Sequence, residues 1–438
     1  MDFESIAYAK FRHSGAASTI VRPRDNPASV DAAGRRELIE GLCSFEGRWP
    51  GTDAERRAAN WLGERLRGMG RRAQVEPTYV QPEYSLAIAL HVALAVAGSL
   101  VALVSGPVGF AMVLLAAVSL YLDQNTRLYL LRRLLFRRAS QNVVSPGRNP
   151  GSPARLVLSA HYDAAKTGYV FGPRSNRLAG RLSERTRVLL GPIRLIFWGG
   201  IVPLLVICGL RMAGVEERWL DVAQLVPVVL LLVSFVLLVD IALSAVVPGA
   251  YDNASGVAAV LSAAAALDAD PPDHLDVWVV LPGAEEANAQ GMARYLDAHH
   301  KEIDPERTFF VNVDSVSFGS LRYLASEGAI VSYPMDPRLL ELCEAVAAGE
   351  SRFGAEPIRI PAHTDALPAR ARGLRAISVL SVADGLPPPY YHMPQDTPDK
   401  LDEGAMSNAV DFTVALIRAL DRDVGRLEAV AREPAGRV

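Results

Sequence analysis

The chain has 438 residues, half of them hydrophobic, with 45 basic against 48 acidic side chains and a formal charge of −3. That length suits one large catalytic domain with insertions or two average domains, and a pI near 6.3 gives no footing for nucleic-acid binding. Mean hydropathy of +0.16 is high for a wholly soluble enzyme and points to lipid contact. Cys43, Cys208 and Cys343 have no paired spacing, so neither a disulfide framework nor a thiolate metal site is expected, and a reducing compartment fits.

The N-terminal stretch MDFESIAYAKFRHSG lacks an apolar core of signal length, so export through a cleaved signal is not expected. Residues 33–48 and 53–70 read as helices. In the second, Ala54, Ala58, Trp61, Leu62 and Leu66 recur at helical spacing, and Thr52 or Asp53 can cap its start. Ser85 to Ser105 and Val108 to Leu122 then form two charge-free apolar runs. Each can cross about 30 Å of hydrocarbon at about 1.5 Å per residue, the second only just. A second apolar pair, 195–210 and 222–247, flanks a polar loop with Arg211, Glu216, Glu217, Arg218 and Asp221, and only Asp240 interrupts the later run. Buried core helices are the plainer reading. Four such stretches in two hairpins are hard to hide in one soluble core, so transmembrane hairpins are expected.

Two hairpins leave every large polar segment on one side of the bilayer. Arg127, Arg132, Arg133, Arg137 and Arg138 follow the first hairpin without an acid among them. Arg174, Arg177, Arg181, Arg185, Arg187 and Arg194 precede the second against the single acid Glu184. By the positive-inside bias the chain is expected to be an integral membrane protein with its polar domain in the cytoplasm. A solvated face or a contact with anionic lipid is the alternative use of these arginines.

Apolar strand-like runs at Asn142–Val144, Leu156–Ala160, Leu275–Leu281, Phe309–Val313 and Ala376–Leu380 alternate with helical patterns at 253–268, 287–300, 336–349 and 403–420. This alternation predicts an α/β fold, a mixed and mainly parallel sheet flanked by helices, with the apolar hairpins inserted. Ligands of such sheets gather outside the carboxyl ends of the strands.

Five motifs end in side chains suited to metals. RLVLSAHYD sets His161 just past a strand, with Asp163 able to accept its other ring N–H and fix the tautomer. A structural hydrogen-bonding role is the plainer alternative for this histidine. In GAYDNASGVAAVL, Asp252 precedes a helix of small residues, and Gly256 allows that helix a close approach. Asp252 could cap the helix or bridge two cations. LDVWVVLPGAEEANAQG carries adjacent glutamates that cannot point the same way, with Glu285 as general base and Glu286 as ligand; acids entering a helix are also favoured electrostatically. TFFVNVDSVSFG repeats the strand pattern with Asp314. PYYHMPQDTPDKLD holds His392 in a proline-rich loop, and Asp396, Asp399 and Asp402 read as turn and helix-start residues.

Taken in order, HYD, YDNASG, AEE, NVDS and YHMPQDTPDKLD resemble the co-catalytic di-zinc aminopeptidases, a family that includes bacterial leucyl aminopeptidases and related carboxypeptidases and cyclases. The resemblance runs over roughly 32–83 and 140–420. It implies His161 and Asp314 on one zinc, Glu286 and His392 on the other, and Asp252 bridging. Glu285 then matches the family's general base and Asp163 its partner to the metal-bound imidazole, while His363-Thr364-Asp365 lines the pocket. Two Zn²⁺ are implied, with Mn²⁺ or Co²⁺ as alternatives.

The expectation is a membrane-anchored zinc exopeptidase, an aminopeptidase acting on peptides through a metal-activated water. Other hydrolase or acyl-transfer activities on the same core (carboxypeptidase, deacylase, glutaminyl cyclase) and an inactive membrane scaffold are the alternatives. The expected division is 1–83, 124–188 and 249–422 for the catalytic domain, hairpins at 84–123 and 189–248, and a tail at 423–438. Expected partners are a peptide substrate and the lipid bilayer, without nucleic acid.

Overall fold

The computed structural model of the chain describes residues 30–172, 174–175, 191–383 and 390–432. Of the positions used above, the N-terminal stretch before residue 30, and Arg177, Arg181, Glu184, Arg185 and Arg187, lie outside the described residues.

The chain opens with α1 (Ala32–Cys43) and α2 (Asp53–Gly68). Asp31 caps the first by accepting from the Gly34 amide at 2.8 Å, and Thr52 caps the second by accepting from Glu55 N at 3.2 Å. The first helix stops short of residue 48 because the chain turns through Gly47 at φ 72°, a conformation glycine adopts without a Cβ penalty.

Among the described residues, nine strands form one mixed sheet: β1 (Gln74–Val80), β2 (Arg138–Ser145), β3 (Ala154–Ser159), β4 (Leu275–Leu281), β5 (Thr308–Asp314), β6 (Ser320–Glu327), β7 (Tyr333–Pro334), β8 (Glu356–Arg359) and β9 (Arg375–Val382). Their order is β1-β2-β4-β3-β5-β9-β6-β7, with β8 beside β6. The central four, β4, β3, β5 and β9, are parallel. Their Leu158, Val279, Val311 and Ile377 are fully buried, each stabilising the fold by about 1.5–3 kcal/mol. Ser159 registers with Val280 on one side and Asn312 on the other, so the chain leaves β3 where its two neighbours diverge. That is where a parallel sheet opens a crevice at its carboxyl edge.

Helices α7 (Gly256–Ala269), α8 (Gln290–Ala298), α9 (Pro337–Gly349), α10 (Ala366–Ala371) and α11 (Glu403–Arg432) flank the sheet. The expected mixed α/β sheet flanked by helices is present, parallel at its centre and largely antiparallel towards its edges. Sequence periodicity passed over β1, β6, β7, β8 and α10, which are short, half-exposed or antiparallel at the edges. α11 continues well into the segment read as a tail, because Val424 is buried and Asp423 pairs with Arg338.

Among the described residues, four helices are long and apolar enough to cross a membrane: α3 (Tyr84–Val101), α4 (Gly106–Gln124), α5 (Pro192–Met212) and α6 (Arg218–Leu243). The two hairpins pack as one bundle, whose own core includes Val92, Ala95, Ala116, Leu120, Leu204, Cys208 and Leu231. The opposite faces expose Val104, Val222, Val226, Val233 and Val236. Both tight turns lie at the same end, since a Cβ on Gly106 would come within 2.8 Å of the Met212 backbone. Arg132 is no part of a cationic surface. The chain doubles back after α4, and this fully buried guanidinium holds Asp123 at 2.6 and 2.7 Å.

In α2, Glu55 is fully buried, accepting from Gly51 N at 2.7 Å and Ser140 Oγ at 2.6 Å. Burial, reinforced by nearby Asp163, pushes its carboxyl from 4.5 up to about 8. Between these values the unfolded chain has released the proton that the folded chain keeps. Stability is therefore present below pH 4.5 and lost as pH rises towards about 8, by up to about 1.4 kcal/mol per unit. Glu55→Gln keeps both contacts without titrating, and the wild-type-minus-variant melting difference across pH 5 to 9, roughly the span set by this linkage, should fall with pH.

Candidate metal centre

Each predicted site residue leaves the sheet's carboxyl edge or a loop beside it. β3 ends two residues before His161, β4 delivers Glu285 and Glu286, and β5 ends on Asp314. Asp252 lies in the turn before α7, where the Asp252–Asn253 peptide is cis. His392 arrives in the loop after β9.

The structure brings all of them into one buried cluster. His161 Nε2 stands 3.2 Å from Asp252 Oδ1, 3.9 Å from Asp314 Oδ1 and 3.9 Å from Glu285 Oε2. His392 Nε2 stands 3.0 Å from Asp252 Oδ2 and 3.6 Å from Glu286 Oε1. The two oxygens of Asp252 thus face two imidazoles from distant parts of the chain. Donors placed about 2.0–2.2 Å from a tetrahedral zinc lie roughly 3.3 Å from one another, close to the separations seen here. His161, Asp252 and Glu286 also offer donor atoms within 4.8 Å of one another.

The electrostatics point the same way. Among the described residues, Asp252, Glu285, Glu286 and Asp314 make ion-pair contacts only with histidines, never with Lys or Arg. Burial and mutual repulsion push Glu285 and Glu286 well above the ordinary carboxylate range, and Asp314 to about 6. Burial opposes ionisation of Asp252 too, yet the two imidazoles hold it low. Burial also opposes a charge on His161, but Asp163 and Asp252 beside it raise its pKa well above normal. A pocket that concentrates negative charge without a fixed cation, between two imidazoles, suits divalent metal.

The supporting residues differ from expectation in instructive ways. Asp163 Oδ1 lies 3.4 Å from His161 Nδ1, outside hydrogen-bond geometry. Its carboxylate instead accepts from the amides of Glu285 at 3.2 Å and Glu286 at 2.9 Å, fixing the loop that carries both acids. Helix capping falls to Asn253 and not to Asp252. Asn253 Oδ1 accepts from Gly256 N at 3.0 Å and Ser315 N at 2.9 Å, tying α7 to the end of β5. A Cβ on Gly256 would sit 2.6 Å from Val313 O, so the close approach expected of that glycine is real. Asp396 is no surface turn residue. It is buried and accepts from Tyr251 N at 2.7 Å and Asp252 N at 3.2 Å. Asp399 and Asp402 do serve the turn and the start of α11.

Strain gathers at the same place. Ala284, Ser315 and His392 have φ of 53°, 58° and 54°, immediately before Glu285, immediately after Asp314, and at a site residue itself. Left-handed backbone at non-glycine residues persists where surrounding contacts over-determine it, as at functional sites. His363 Nδ1 stands 3.7 Å from Glu285 Oε1, and burial, with repulsion from Arg132, lowers its pKa to about 4, leaving the ring neutral.

Residues 238–417 match the model of peptidase family M28. That segment, under half of the chain, is similar to the family. The match spans Asp252, Glu285, Glu286, Asp314 and His392, whereas His161 and Asp163 precede it. Among solved structures, the LapA aminopeptidase of Legionella pneumophila is similar over 93% of this chain and 78% of its own, at 12% identity and a TM-score of 0.51. A leucine aminopeptidase precursor from Bacteroides thetaiotaomicron aligns over 89% of this chain and 97% of its own, at 14% identity and a TM-score of 0.50. A glutaminyl cyclase from Porphyromonas gingivalis aligns over 90% and 98%, at 13% identity and a TM-score of 0.51. At such identities these likenesses speak for the fold. No curated protein matches the chain. M28 is a family of zinc-dependent peptidases, in keeping with the donor set.

Sequence reading missed Arg48. Its buried guanidinium donates to Tyr162 O at 2.8 Å, to Gly249 O at 2.6 Å and to Pro248 O. One side chain thereby joins the His161 loop to the Asp252 loop. Its only sequence signal was an arginine between two glycine-containing turns. Arg48→Met strands three buried carbonyls and should cost about 3 kcal/mol or more in denaturant unfolding, with bound zinc falling in parallel by elemental analysis.

Proposed function

We propose that the chain is a membrane-anchored, zinc-dependent exopeptidase that removes N-terminal residues from peptides, with its catalytic domain on the cytoplasmic side. One observation carries the reading: the Asp252 carboxylate is shared between His161 and His392, each with a second carboxylate close by. The proposed ligands are His161 and Asp314 for one zinc, Glu286 and His392 for the other, and Asp252 for both. When bound, the metals polarise the scissile carbonyl and acidify a water.

The protein's own groups do the rest. Glu285 Oε2 lies 3.9 Å from His161 Nε2, beside the proposed centre. It takes the proton of the attacking water and returns it to the departing amine, while the hydroxyl adds to the carbonyl carbon. Asp163 keeps Glu285 and Glu286 in position through their amides. The neutral ring of His363 beside Glu285 leaves that acid free to cycle its proton.

Membrane anchoring is supported by four apolar helices in one bundle with an apolar outer face. Cytoplasmic placement is supported by the arginines next to the helix ends, Arg127, Arg133, Arg137, Arg138 and Arg194. The catalytic domain is then assembled from 1–83, 124–188 and 249–422 around hairpins at 84–123 and 189–248, with the tail at 423–438 helical as far as Arg432. A glutaminyl cyclase on the same core is the second reading, favoured by the fold likeness to a cyclase as well as to aminopeptidases.

Detergent-extracted protein assayed on peptides with free, blocked and glutaminyl N-termini separates the two. Release of the first residue from free N-termini alone supports the aminopeptidase; pyroglutamate formation supports the cyclase. Chelation should abolish turnover and zinc should restore it. Glu285→Gln should retain the wild-type metal content while losing about 10²–10⁴-fold in kcat; near-normal turnover would move the base elsewhere.

A further inference from the structure

After α4 the chain does not pass straight into the catalytic domain. It folds back along the first hairpin, and the Leu131 amide donates to Ser119 Oγ at 3.3 Å. The same hydroxyl meets His91 Nε2 at 2.8 Å, inside the bundle. Ser119 lies well before the helix end at Gln124, so Leu131 stands roughly 7 Å back along the helix at about 1.5 Å per residue. The Arg132–Asp123 pair pins the turn there.

From this pinned point the next residues turn outward. Leu134 is 75% and Phe136 89% exposed, beside an apolar bundle. Arg133 and Arg137 flank them, exposed and without an ion pair to any carboxylate among the described residues. Arg137 rests over the half-exposed ring of Tyr79 at 4.6 Å. No acid occurs between Arg127 and Arg138. Bare apolar side chains flanked by unpaired cations, just after a residue tied back against a spanning helix, have the composition of interfacial segments, which bury their apolar face about 5–10 Å deep.

We propose that Leu128–Arg137 is a lipid-binding element at the bilayer surface. Leu134 and Phe136 enter the acyl boundary, and Arg133 and Arg137 bind the phosphates of anionic glycerophospholipids. Anionic lipid is favoured over a protein partner by continuity with the bundle's lipid-facing surface and by the run of one charge sign. The assignment rests on the reading that α3–α6 span the bilayer.

The test uses the full chain. In detergent, short-chain phosphatidylglycerol and phosphatidylcholine are titrated and the retained lipid is read by native mass spectrometry. Wild type should prefer phosphatidylglycerol. Each arginine at an anionic surface contributes about fivefold, so Arg133→Gln with Arg137→Gln should weaken that binding about twenty-five-fold and leave phosphatidylcholine unchanged. In vesicles, Phe136→Trp should add an indole signal, taken as the difference from wild type, that brominated lipid quenches. Wild-type phosphatidylglycerol affinity in the double variant, or an unquenched indole, overturns the proposal. Alkaline extraction reads the spanning bundle by itself: protein retained with an unquenched indole defeats only this segment, whereas released protein defeats the bundle reading.

Discussion

Carboxylates packed together out of water repel one another, and the α/β part of this molecule is arranged to hold them close all the same. Asp252 stays ionised between two imidazoles, while Glu285, Glu286 and Asp314 are driven towards their protonated forms. The scaffold resists this repulsion with main-chain hydrogen bonds in place of countercharge. Asp163 clamps the amides of the two glutamates, Asp396 those of Tyr251 and Asp252, and Arg48 the carbonyls of both neighbouring loops. A pocket prepared in this way is stable with cations and frustrated without them.

The parts legible in the sequence were those with strong local signals. Apolar runs such as Leu275–Leu281 marked the central strands because both of their faces are covered, and the metal-grade side chains stood at their ends. Edge strands such as Glu356–Arg359 carry mixed, half-exposed residues that no periodicity separates from a loop. The supporting residues were illegible for another reason. Arg48, Asn253 and Asp396 act on backbone groups that are remote in sequence or lie across a turn, and nothing in their local pattern says which amide or carbonyl they reach. Asp163 was singled out, but for the imidazole; its tighter contacts are to amides that only the fold brings near.

The bundle and the site are mechanically one object. Asn288 in the Glu285–Glu286 loop donates to Asp123 O at the end of α4, and Arg132 donates to Ala287 O in the same loop. Lys166, past His161, reaches Glu83 just ahead of α3 and Ala242 O in the last turn of α6. Displacement of a helix end is therefore transmitted directly to the loops that carry the acids.

Only a short connector joins Leu243, the last residue of α6, to Asp252. An extended chain spans at most about 3.6 Å per residue, and this one is partly coiled. With α6 seated in a bilayer, the carboxylate cluster would be leashed close to the lipid surface. Molecules held at that surface would then meet it more often than the same molecules dispersed through the solution.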